Sequence, residues 1–251
     1  MLPQLIEPSD LLPHLSDDAL IIVDLCREEN YARHHIPGAV HINPAQLISG
    51  RAPAVGKLPP IEQLNALFSH IGYDKKYHIV AYDDEGGGWA GRFIWTLEVI
   101  GHHNWSYLNG GLIAWANEGH PLTAEHTDRA PRPANLLIDT SVVAELQDVL
   151  QSIDDHDTLV WDARSPEEYN GTMIAAARGG HIPGAINLDW LELMDPQNNL
   201  RLRTNLQEIV AEHGFTRAKS IITHCQTHHR SGLTYLVGRL LDLPIKAYHG
   251  S

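Results

Sequence analysis

Cys225 lies in the run Ser220-Ile221-Ile222-Thr223-His224-Cys225-Gln226-Thr227-His228-His229-Arg230-Ser231-Gly232, where a short apolar strand pattern gives way to a polar loop and then to a helix. A thiol in that position is set up to ionise. The first N–H groups of a helix have no intrahelical partner, and their partial positive charge favours an anion at the helix mouth. The thiolate is the nucleophilic form of cysteine. The loop from Gln226 to Ser231 is short and polar, so its amides can curl around an anionic group held on sulfur. His228 and His229 add positive charge when protonated. An inert buried thiol, the common fate of a free cysteine, has no need of two histidines and an arginine within five residues.

The elements that must position this loop are legible on either side of it. Leu233, Leu236, Val237, Leu240 and Leu241 recur at helical spacing, and Pro244 stops the pattern. Short apolar strands are expected at 20–25, 77–82, 158–161 and 220–224, alternating with helices such as 61–70 and 206–214. That alternation predicts an α/β fold built on mostly parallel sheets with helices on both faces. Ligands bind beyond the carboxyl ends of the strands in such sheets, which is where Cys225 falls.

The chain repeats itself. Ile22-Val23-Asp24-Leu25-Cys26-Arg27-Glu28-Glu29-Asn30-Tyr31 aligns without a gap on Val160-Trp161-Asp162-Ala163-Arg164-Ser165-Pro166-Glu167-Glu168-Tyr169. His35-Ile36-Pro37-Gly38-Ala39-Val40 returns as His181-Ile182-Pro183-Gly184-Ala185-Ile186, after extra residues around 171–180 in the second copy. Ile79 to Asp83 aligns on Ile221 to Cys225, and Tyr107 to Gly110 on Ala247 to Gly250. Four blocks in one order predict two similar domains, 1–125 and 141–251, joined by a Pro-containing linker at 126–140.

The copies differ where chemistry is expected. Asp83 stands at the cysteine position of the first, followed by Asp84, Glu85 and Gly86-Gly87-Gly88-Trp89. A carboxylate there performs no thiol chemistry and repels an anionic donor. One working and one supporting domain are therefore expected. The first copy also continues through Asn109-Gly110-Gly111-Leu112-Ile113-Ala114-Trp115, whereas the second stops at Gly250-Ser251. Either the natural chain is longer or the second domain ends differently.

With 251 residues, 43% of them hydrophobic, the chain can bury two cores, and its net charge of -13 with no basic cluster argues against nucleic acid or an anionic membrane as partner. Two cysteines exclude a disulfide framework, and no signal sequence or apolar run of bilayer length is present. A soluble protein of the reducing cytoplasm is expected, acting as a monomer. Cys26 replaces Arg164 in the repeat and reads as a packing residue. The pairs His34-His35, His102-His103 and His228-His229 lack zinc-site spacing, so neither metal nor other cofactor is expected.

Taken together, the paired Asp-containing strand ends followed by Glu-Tyr or Asn-Tyr, the two His-Ile-Pro-Gly-Ala blocks, the Asn-Gly-Gly-Leu-Ile-Ala-Trp stretch and the cysteine loop resemble the bacterial tandem-domain rhodaneses. The resemblance covers nearly the whole chain. It implies two rhodanese-like domains, the first catalytically inactive with Asp83 in place of cysteine. It also implies a thiosulfate sulfurtransferase in which Cys225 takes sulfur as a persulfide and passes it to cyanide or another thiophilic acceptor. Gln226, Thr227, His228, His229, Arg230 and Ser231 would then form the substrate-binding cradle, with Arg230 holding either the loop or the anionic donor. Trp190 resembles a pocket-lining residue of the family and is placed at the pocket rim on that ground, although the residues alone favour a core tryptophan. Arg178 and His181, in or beside the insertion, are placed at the pocket rim. Asp162, Arg164 and Glu168 read as a structural charge network.

The loop sequence matches neither the Cys-Arg-Lys-Gly-Val-Thr of animal rhodaneses nor the Cys-Gly-Ser-Gly-Val of 3-mercaptopyruvate sulfurtransferases, and thiosulfate is the preferred donor. Three alternatives stay open: a 3-mercaptopyruvate sulfurtransferase, a non-enzymatic persulfide carrier, and a Cdc25-like phosphatase. The phosphatases use five residues between cysteine and arginine. Here four separate Cys225 from Arg230, a cradle better sized for one sulfur than for a phosphate.

Overall fold

The computed structural model describes residues 2–250. Two five-stranded parallel sheets organise it. The first contains β1 (Leu5–Ile6), β2 (Leu20–Asp24), β3 (Val40–His41), β4 (His78–Tyr82) and β5 (Trp105–Leu108), in the spatial order β1-β5-β4-β2-β3. The second contains β6 (Val143–Ala144), β7 (Thr158–Asp162), β8 (Ile186–Asn187), β11 (Ser220–His224) and β12 (Ile245–Tyr248), in the order β6-β12-β11-β7-β8. Between them β9 (Met194–Asp195) and β10 (Arg201–Leu202) form a small antiparallel pair. The long strands are apolar on both faces because helices cover both; Leu20–Asp24 is buried throughout.

Register carries the repeat into three dimensions. Ile79 pairs with Trp105 and Ala81 with Tyr107, just as Ile221 pairs with Ile245 and Thr223 with Ala247. Asp24 opposite His41 is matched by Asp162 opposite Asn187. Residues 83 and 225 therefore occupy equivalent points, each directly beyond the central strand of its sheet.

A helix follows each of those points, Gly88–Val99 in the first half and Arg230–Leu240 in the second. The two pack against each other and join the halves. Gly91 and Gly232 sit at the crossing, where a Cβ on either would fall inside the other helix's backbone. One apolar cluster runs continuously from Ile21 and Phe68 through Phe93 and Trp95 to Leu233 and Tyr235. Glu98, buried within it, accepts hydrogen bonds from Trp105 Nε1 at 3.2 Å and from the Tyr235 hydroxyl, and pairs with Arg239 at 3.0 Å.

Residues 126–139 contain no helix or strand and run along the first half. Arg132 N donates to Ser69 O at 3.1 Å, and Leu136 N to Asn65 Oδ1 at 2.9 Å. The helix expected at 206–214 ends at Glu212, with Gly214 in the left-handed region at φ 82° turning the chain. Among the described residues no helix is long and apolar enough to cross a membrane. Cys26 is fully buried in the first half's second apolar cluster, and burial pushes its thiol far above the ordinary value.

Candidate active site

Cys225 leaves β11 and enters the loop that ends where the helix Arg230–Leu240 begins. Only 3% of it is exposed, and that face lines a cavity of about 740 Å³ open to solvent. Burial pushes the thiol up, but donors at the sulfur outweigh it. The Ser231 hydroxyl donates to Sγ at 3.3 Å, the backbone N–H groups of Ser231 and Thr227 point at it, and Arg230 adds a full charge; the net result lies below the ordinary thiol value.

A relay stands behind Ser231. His228 Nδ1 lies 2.7 Å from Ser231 Oγ while Nε2 has no partner among the described residues. Since the serine proton goes to sulfur, the histidine bond runs from Nδ1–H to Oγ, so Nδ1 is the nitrogen that carries the proton when the ring is neutral. Burial drives His228 well below its ordinary value. The expectation that His228 supplies positive charge is corrected accordingly. Its backbone is left-handed at φ 54°, and its ring stands edge-on to Trp95 of the first half at 4.5 Å between centroids.

His229 behaves differently. Its ring lies between Trp89 and Trp190, with centroids 4.6 and 5.3 Å away, and Nε2 bonds the carboxylate of Glu85 from the first half. Burial alone would lower His229, but Glu85 raises it above the ordinary value, with Cys225 contributing in the same direction. Arg230 is forked onto Glu168, with Nη2 3.0 Å from Oε1 and Nη1 bonded to Oε2. That pairing holds the guanidinium beside the loop, within range of the sulfur charge. Arg164 is likewise bidentate to Asp162, at 2.9 and 2.6 Å, and its Nη2 also donates to Gly180 O at 2.9 Å, tying the 171–180 insertion to the end of β7.

Gln226, Thr227, Arg178 and His181 line the same cavity as Cys225, whereas the side chains of His228, His229 and Arg230 engage Ser231, Glu85 and Glu168. His181 is stacked on Tyr169 at 3.7 Å and donates from Nδ1 to Tyr169 O at 2.9 Å. Trp190 is not among the cavity's lining residues. It packs against His229 and the core instead, so its placement at the rim is corrected. Sequence reasoning missed Pro53, Val55 and Tyr248, which complete the lining; nothing local in their sequence marks them.

Among the described residues no carboxylate lines the cavity, while the guanidinium groups of Arg164, paired with Asp162, and of Arg178 do. In a chain of net charge -13, this is a local reversal of sign suited to an anionic ligand.

The equivalent point in the first half is already filled. Asp83 Oδ1 accepts from the amides of Glu85, Gly86 and Gly87 at 3.2, 3.1 and 2.8 Å, and Oδ2 from that of Ala90 at 3.0 Å. Burial raises this carboxyl to about 6, against the pull of its amides. Asp83 faces its own amides, and Glu85 is spent on His229.

Comparison with known proteins follows the same lines. A model of the rhodanese-like domain matches residues 7–118 and again 145–250. The chain is 49% identical over 251 residues to a thiosulfate sulfurtransferase of Azotobacter vinelandii, covering 100% of this chain and 93% of that protein. A thiosulfate sulfurtransferase of Pseudomonas aeruginosa is 48% identical over the same span, again with 93% of that protein covered. Among solved structures, the 3-mercaptopyruvate sulfurtransferase SseA of Escherichia coli superposes with a TM-score of 0.88 at 27% identity, covering 100% of this chain and 99% of that one.

Proposed function

This chain belongs to the rhodanese family, with a rhodanese-like domain in each half, and from that premise we propose that it is a thiosulfate sulfurtransferase working through a persulfide on Cys225. The observation that carries the reading is the lowered Cys225 thiol at the wall of a cavity without carboxylates. The named relatives add the donor.

The Cys225 thiolate attacks the outer sulfur of thiosulfate. A new S–S bond forms, the bond within thiosulfate breaks, and its electron pair leaves on sulfite. The persulfide's terminal sulfur carries the negative charge, and it sits where loop amides and Arg230 stabilise it without reorganisation. A thiophile such as cyanide then attacks that terminal sulfur. Thiocyanate departs, and the electron pair of the breaking bond returns to Cys225 as thiolate. Ser231, with its proton held toward sulfur by His228, supports the anion in both steps. Arg178 and His181 at the rim receive the anionic donor. Trp190 backs the loop through His229.

In this reading residues 141–251 form the catalytic domain, 126–140 the connector and 1–125 the supporting domain. No cofactor is required. The substrates are small molecules rather than nucleic acid or membrane, and the protein acts as a monomer in the cytoplasm, where Cys26 and Cys225 stay free thiols. Steady-state thiocyanate formation from cyanide tests the assignment, with thiosulfate and 3-mercaptopyruvate as competing donors. A larger kcat/KM for thiosulfate is expected. Preference for 3-mercaptopyruvate, or a stable persulfide without turnover, would replace it with the mercaptopyruvate or carrier reading.

A further inference from the structure

The helix Gly88–Val99 carries one cation, Arg92, and one carboxylate, Glu98, which is paired with Arg239; the structure buries Arg92 completely. Its guanidinium reaches out of the supporting domain toward the catalytic loop. Nη2 donates to Leu47 O at 2.6 Å and Nη1 to Gly56 O at 2.8 Å, and Nη1 lies 3.5 Å from the carbonyl of Thr227. Nε has no partner. The plane lies over Trp95 at 4.8 Å, the ring that also meets His228. Gly56 presses on the same peptide, since a Cβ there would collide with the backbone of Thr227. A buried cation with no carboxylate partner is costly unless its charge is used. The anion within its range is Cys225, whose charge opposes the lowering by burial of Arg92, which still leaves it at about 9 and charged at neutral pH.

We propose that Arg92 is a positioning residue for sulfur transfer, contributed by the domain that has no cysteine: it anchors the Thr227 carbonyl and sets a permanent cation behind the sulfur of Cys225. The trans peptide then turns the N–H of His228 away from the first domain, and the conformation of the loop no longer depends on the donor being present. The supporting domain thereby becomes half of the active site.

This inference rests on sulfur chemistry at Cys225, but its test reads the thiol without any donor. Arg92→Met and Arg92→Lys are prepared in the full chain, and the rate of iodoacetamide alkylation at Cys225 is followed against pH by peptide mapping, which separates it from Cys26. Arg92 is the only group changed. Arg230, His229, His224, Asp162 and Arg164 around the sulfur, with Arg178 and His181 at the rim, are common to all three proteins. In Arg92→Met the profile moves to higher pH, with alkylation at neutral pH slower by about three- to tenfold, and kcat/KM for thiosulfate drops about 10- to 100-fold. Arg92→Lys keeps the charge and loses the fork: its alkylation profile stays near wild type while kcat/KM drops about fivefold. A folded Arg92→Met protein with the wild-type profile and wild-type kcat/KM overturns the proposal. If that variant does not fold, a wild-type kcat/KM in Arg92→Lys overturns it. Failure of wild-type protein to take sulfur from thiosulfate would instead sink the assigned reaction, leaving the alkylation result to stand by itself.

Discussion

Beyond β4 the carboxylate of Asp83 collects four backbone amides; beyond β11 the sulfur of Cys225 collects the Ser231 hydroxyl and the amides of Thr227 and Ser231. The two loops are the same length, so Gly88 stands where Arg230 does and Trp89 where Ser231 does. Both turns are anion holders. One is closed by an anion of its own chain and has no room for chemistry, while the other offers a nucleophile whose charge can be extended by one sulfur. The comparison shows that the cradle belongs to the fold, and that reactivity requires the cation at Arg230 and the open cavity that Cys225 lines. Glu85 and Trp89 of the first half's loop contact the catalytic loop through His229.

The largest test of this contrast is Cys225→Ser. It should eliminate thiocyanate production in a steady-state assay, whereas Cys26→Ser should leave turnover intact. Next comes Arg230→Met, which strips the catalytic loop of the cation that its counterpart lacks. We expect kcat/KM to decrease about 100-fold and alkylation of Cys225 to shift to higher pH; an unchanged alkylation profile would mean that amides alone suffice.

The silent cradle is broken by Asp83→Ala, which leaves buried amides without an acceptor. Its cost should be about 2–4 kcal/mol in urea unfolding. The pH dependence of Asp83 has a definite sign. Its folded value of about 6 lies above the ordinary 3.8, so the folded state holds the proton longer than the unfolded state. The carboxyl's contribution to stability is therefore greatest at low pH and declines as pH rises through about 4 to 6. The stability difference between wild type and Asp83→Ala should shrink over that interval, and a constant difference would show that the carboxyl is not raised. The smallest effect is expected for Glu85→Gln. His229, raised by Glu85, stays charged above its ordinary 6.5, so the variant should match wild type at acid pH and fall a few-fold behind in kcat/KM as pH climbs past that value.

Much of this was legible in the residues. The gapless run from Ile22 to Tyr31 over Val160 to Tyr169 reproduces itself as equivalent strand register because buried parallel strands demand the same apolar string. The Cys225 loop was legible because helical spacing after Ser231 leaves only a short turn. Side-chain directions were not. His228 and His229 are neighbours, yet burial lowers one behind Ser231 while Glu85 raises the other, a difference set by a left-handed backbone at His228 and by a carboxylate 144 residues away. The residues alone favour a core Trp190 and the family resemblance a pocket one; its packing against His229 and the core agrees with the residues. Arg92 had one local signal, a lone cation among apolar helix positions, but its reach to Leu47, Gly56 and Thr227 depends on how two domains meet.

The central claim is that Cys225 accepts a sulfur atom as an anion held by its loop. Intact-mass and peptide mass spectrometry of the protein after thiosulfate treatment measures this directly. The account predicts a gain of one sulfur on the peptide containing Cys225, absent in Cys225→Ser and reversed by cyanide. Sulfur appearing on Cys26, or mass gain surviving the Cys225→Ser substitution, would contradict it.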